Sequence, residues 1–107
     1  MDDVIILYTT WPDPETAQAA GQAAVEAKLA ACANVMASMT SIYRWQGAVR
    51  REAETPMLLK TTAAAAGRLR DFVLARHPYE TPCVVALRSE TAGSNPDFIR
   101  WIGEEIA

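Results

Sequence analysis

The period of apolar and polar positions changes several times along the chain, and each change predicts an element. Val4 to Thr10, "VIILYTT", is a continuous apolar and β-branched run, which predicts a central strand covered on both faces. "WPDPET" then interrupts it. Asp13 can accept from free backbone N–H groups, Pro14 suits a first helical turn and Glu15 complements the dipole. A helix is expected from Pro14 to about Ala31. Small residues at Ala17, Ala20, Ala24 and Ala27, with Val25 and Leu29, let it lie close to a sheet. Gly21 costs helix stability and permits close packing.

Cys32 to about Trp45 reads as a second extended stretch, with Tyr43 and Trp45 on one face. Gln46-Gly47 is a turn signal, its glycine free to take positive φ. Ala48 to Thr61 returns, and Pro56 inside it marks an unpaired edge or a bulge. Thr62 to His77 predicts a second helix with Leu69, Phe72 and Val73 toward the sheet. Pro78 excludes its predecessor from helical geometry, so the helix stops at His77. Cys83 to Leu87 is a fourth strand. "ETAGSNPD" is a loop ending in an Asn95 cap, and the last helix carries Phe98, Trp101, Ile102 and Ile106 on one stripe. The order β-α-β-β-α-β plus a C-terminal helix predicts a ferredoxin-like α+β fold. Its first and third strands are central, its second and fourth lie at the edges, and both main helices cover one face.

The central hairpin does not fit a lone subunit. Its arms run about a dozen residues or more, against a usual strand of about five or six. Its distal part therefore projects past the domain, yet it carries Ile42, Tyr43, Trp45 and Val49. Monomers avoid exposing such area and such free edges. The hairpin is expected to pack on other copies of the chain in a closed symmetric assembly.

Composition narrows the function classes. The chain has 107 residues, which fits a single domain spanning 1–107, and a formal charge of −3. There is no basic footprint for nucleic acid. The N-terminal "MDDVIILYTT" lacks the features of a secretory signal and no stretch is long and apolar enough to span a membrane, so a cytoplasmic protein is expected. The two cysteines, Cys32 and Cys83, form no CxxC and no zinc-ligand spacing, and free cysteines are most often simply buried. The first loop, "TTWPDPET", has no thiol pair to carry copper(I) and no arginine to cradle phosphate. One histidine without an aspartate partner gives no nucleophile–base–orienter set, so no catalysis is expected.

Four stretches, "EAKLAACANV" (26–35), "SIYRWQG" (41–47), "MLLKTT" (57–62) and "HPYETP" (77–82), resemble the CutA family of divalent-cation tolerance proteins in order and separation. The resemblance spans nearly the whole chain. It implies a ferredoxin-like fold, a homotrimer built through long hairpins, a role in divalent metal-ion tolerance, and copper binding. Its metal ligands fall on Cys32 and His77. The cysteines and second histidine that some family members add as ligands are replaced here by Tyr8, Phe72 and Arg76, so copper or another divalent cation is expected to bind weakly. The alternative is a PII-like trimeric signalling protein that binds a small molecule between subunits and reports to a partner protein. A site for it would gather Tyr43, Trp45, Glu54, Lys60 and Tyr79 near the base of the hairpin. No organic cofactor is evident.

Overall fold

The computed structural model describes residues 3–107. Its elements are β1 (Val4–Trp11), α1 (Pro14–Glu26), β2 (Cys32–Val35), β3 (Met39–Trp45), β4 (Ala48–Thr62), α2 (Ala63–Arg76), β5 (Val84–Arg88), a single 3-10 turn (Thr91–Gly93) and α3 (Pro96–Glu105). The sheet order is β2-β4-β1-β5, antiparallel throughout, with β3 pairing only with β4. The first strand and the long returning strand are therefore central, as their patterns predict.

Local chemistry sets the helix ends. The Asp13 carboxylate accepts from the Thr16 N–H at 2.7 Å, which holds its carboxyl below the usual carboxylate range. Thr62 caps α2 through the Ala65 N–H, and Asn95 caps α3 through the Asp97 N–H. Helix α1 stops at Glu26, short of the expected Ala31. Lys28 turns left-handed at φ 59°. The Leu29 N–H then reaches back to the Ala24 carbonyl and the Lys28 N–H to that of Val25. These two bonds make a Schellman closure, usually built on glycine, and a lysine there left no signal in the sequence.

The second extended stretch is two strands, not one. Val35 stands opposite Met57 while Met39 stands opposite Glu54, so residues 36–38 face only Thr55 and Pro56. The extra residue lies in 36–38, a bulge opposite Pro56, which has no N–H to donate; the Pro56 carbonyl accepts from the Met36 N–H. Beyond the bulge β3 and β4 leave the sheet as a two-stranded arm. The molecule is accordingly elongated, 44 × 27 × 23 Å. At the tip, Gln46 and Gly47 both have positive φ, 50° and 80°, the conformation of a tight type I′ hairpin.

Alternation along β1 separates two faces. Leu7 and Trp11 with Met57 and Leu59 pack under Ala17, Ala20 and Ala24 of α1 and Leu69 and Val73 of α2. Val4 on the other face packs with Ile99 and Ile102 of α3. The buried stripe of α3 is thus Ile99 and Ile102, flanked by Ile106. Phe98 and Trp101, expected on one stripe with Ile102 and Ile106, instead lie against each other with tilted rings and remain exposed, because α3 covers only the Val4 end of that face. Among the described residues no helix covers the rest of that face. Ile6, Tyr8 and Leu58 are half-buried there, and Val85 and Leu87 are 50% exposed.

Gly21 lets α1 touch the sheet. A Cβ there would lie 2.8 Å from the Met57 sulfur and 3.0 Å from the Ala33 Cβ. Gly21→Ala gains about 1 kcal/mol of helix propensity but overpacks a closed site, which costs about 1–3 kcal/mol. The expected outcome in urea unfolding is net destabilisation of about 1 kcal/mol. A rise in midpoint would show that Met57 moves aside freely.

Candidate functional site

The site is built behind Trp11. This residue is fully buried at the end of β1, and its indole N–H donates to Thr9 Oγ1 at 2.7 Å, which in turn donates to the Met57 carbonyl. The His77 ring stacks on it at 4.3 Å between centroids. Extended backbone at His77, imposed by Pro78, turns the imidazole back under β1. Its Nε2–H donates to the Thr10 carbonyl at 2.7 Å, and Nδ1 accepts from the Tyr79 N–H at 3.1 Å. Both ring nitrogens are engaged in a neutral imidazole, and the Tyr79 ring stands 4.9 Å away. His77 is a clasp that closes helix α2 and sets Tyr79.

Tyr79 forms one wall of a cleft of about 480 Å³; the arm forms the other. The hairpin register puts Trp45 opposite Ala48, Tyr43 opposite Arg50 and Ser41 opposite Glu52, so their side chains share one face. That face, with Glu54, looks toward the turn holding Tyr79 and Glu80, and Thr10 and Cys83 close the floor. The cleft is electronegative. The Glu52 carboxylate, within hydrogen-bonding reach, pushes the Tyr43 phenol up. Burial raises the Tyr79 phenol, with Glu54 and Glu52 adding to it. Burial likewise raises the Cys83 thiol, against a hydrogen bond with Thr10, and Glu54 raises it further. Glu54 thus acts on all three groups, and the Cys83 thiol is kept in its protonated form.

Four of the residues expected at a ligand site, Tyr43, Trp45, Glu54 and Tyr79, meet here within a single chain. Lys60 does not. It shares the β4 face with Glu54 by alternation but lies six residues away, about 20 Å along a strand. Its ammonium sits over the Phe98 ring, 5.4 Å from the centroid, in a separate hollow beside Val4 and Ile6. Arg50, Glu52, Glu80 and Cys83 were missed by sequence reasoning. The first two had a readable signal, since a two-residue turn at Gln46-Gly47 already fixes which residues stand opposite Tyr43 and Ser41.

Cys32 and His77 are not brought together in one chain. Cys32 lies on edge strand β2 opposite Lys60, which stands opposite Ile6, whereas His77 binds the carbonyl of Thr10. Four residues of strand separate those points, about 13 Å. The Cys32 thiol donates to Asn34 Oδ1 at 3.7 Å. Among the described residues no three His, Cys, Asp or Glu side chains converge as a metal cage would need. One chain's donor set therefore does not fit copper: the imidazole has no free lone pair and the thiol stands apart.

A family model described as CutA1 divalent ion tolerance protein matches residues 5–105. The divalent-cation tolerance protein CutA of Thermus thermophilus is 41% identical over 104 residues, 97% of each chain. A solved structure of that organism's divalent cation tolerance protein (Cut A1) superposes with a TM-score of 0.88 at 40% identity, covering 100% of both chains. The CutA of Archaeoglobus fulgidus, described as a periplasmic divalent cation tolerance protein, superposes with a TM-score of 0.91 at 33% identity over 97% of this chain and 99% of that one. On the strength of the matched model and of relatives at this identity across nearly the full length, the chain belongs to the CutA1 divalent ion tolerance protein family.

Proposed function

We propose that this chain is a cytoplasmic, homotrimeric protein of divalent metal-ion tolerance, a ferredoxin-like subunit with no catalytic role. The observation that carries the assembly is apolar surface that the single chain leaves half-covered or open. On the sheet it comprises Ile6, Tyr8, Leu58, Val85 and Leu87; on the outer face of the arm it comprises Ile42 and Val49, 61% and 62% exposed. A lone chain would keep that area in water at a cost of about 25 cal/mol per Å². Copies arranged about a closed axis bury it equally in all. The same contact would close the open side of the aromatic cleft, which favours the second reading, a PII-like regulator binding a small molecule between subunits and reporting to a protein partner.

The copper reading is narrower. Weak binding is assigned to the Cys32 thiolate where edge strands of neighbouring copies meet, with His77 retained as a donor only if its clasp opens. Competition with a moderate copper(I) chelator is expected to show weak uptake that Cys32→Ser removes and His77→Gln leaves unchanged. A tight complex of one copper per chain, lost in both variants, would overturn this assignment.

A further inference from the structure

The cleft's chemistry specifies its ligand more closely than its shape does. Three aromatic side chains, Tyr43, Trp45 and Tyr79, line it together with three carboxylates, Glu52, Glu54 and Glu80, and one cation, Arg50. The excess of negative charge excludes a phosphate or carboxylate ligand. The carboxylates are dispersed along the arm and the facing turn, and among the described residues they form no metal cage. A compact, strongly hydrated metal ion gains little from aromatic walls. A weakly hydrated alkylammonium gains from both, since ring faces attract it and carboxylates balance its charge without tight coordination. The volume of about 480 Å³ is in the range of small-molecule sites.

We infer that the cleft between the hairpin arm and the Tyr79–Glu80 turn binds a small alkylammonium cation, held against Trp45 and Tyr43 with Glu54 as its principal counter-charge. This deepens the small-molecule reading of the same cleft and rests on it. Burial raises the Tyr79 phenol and the Cys83 thiol, and Glu54 adds to both, in keeping with the carboxylate lining of the cleft.

Isothermal titration of the full chain with choline chloride, against a sodium chloride blank, tests the inference. Dimethylbutanol, the neutral carbon isostere of choline, is titrated in parallel. Choline is expected to saturate and to bind about tenfold more tightly than the alcohol. Glu54→Gln and Trp45→Leu should each weaken choline about three- to tenfold, while Glu104→Gln, on the exposed end of α3, leaves it unchanged. Equal affinity for choline and the alcohol would overturn the charge assignment and leave the small-molecule reading standing. Binding of neither would defeat both. Choline binding indifferent to Glu54→Gln and Trp45→Leu would overturn the placement.

Discussion

Trp11→Ala is expected to destabilise the protein by about 3–5 kcal/mol, the range for removing a fully buried large aromatic. The indole is inaccessible to solvent and is enclosed by the α1–α2 core. Its removal takes away the platform on which His77 stacks and the donor that satisfies Thr9 Oγ1. The surroundings cannot collapse easily, because β1 at this point is fixed by pairing to Thr55 on β4. With a urea slope of about 1–3 kcal/mol per molar, the midpoint should fall by about 2 M at matched chain concentration. Trp11→Phe should recover roughly half of the loss, since it keeps a ring for the stack and forfeits the N–H. A midpoint change under about 0.5 M for the alanine variant would mean that Trp11 does not organise this end of the sheet.

His77→Ala is expected to cost about 2–4 kcal/mol. It strands the Thr10 carbonyl and the Tyr79 N–H, each worth about 1–3 kcal/mol when buried without a partner, and removes a ring stacked on Trp11. Water entering from the adjacent cleft softens the loss, which keeps the figure below the sum. His77→Gln restores a donor that reaches Thr10 and should cost about half as much. The double variant with Trp11→Ala should cost less than the two singles together, by about 0.5–3 kcal/mol, because the two rings share one contact. Additive losses in urea unfolding would contradict the clasp.

Much of the framework is written locally. Asp13-Pro14, Thr62, Asn95-Pro96 and His77-Pro78 set helix ends through rules that act within three or four residues. Pro56 announced the bulge because a residue without an N–H cannot sit in an ordinary ladder. The features that escaped depend on distant partners or on an unfavourable local choice. Trp11 stands beside Pro12 and reads as the start of a turn, but it is fully buried inside the core, with His77, distant in sequence, lying across it. The left-handed Lys28 is sterically disfavoured and is tolerated by the bonds it completes. Glu54 and Lys60 obey the same alternation, and only the length of β4 puts them at opposite ends of one face. Pairing Cys32 with His77 needed a distance that spacing along the chain does not contain.

In the proposed assembly the arm, the apolar sheet face and the open side of the cleft are covered by other copies of this chain. Light scattering coupled to size exclusion, at low micromolar chain concentration, reads that directly. A single species at three times the 11.7 kDa chain mass is expected, and it should fall to one chain mass in a Val85→Glu/Leu87→Glu variant that charges the open face. A stable, folded species of one chain mass in the unaltered protein would contradict the account.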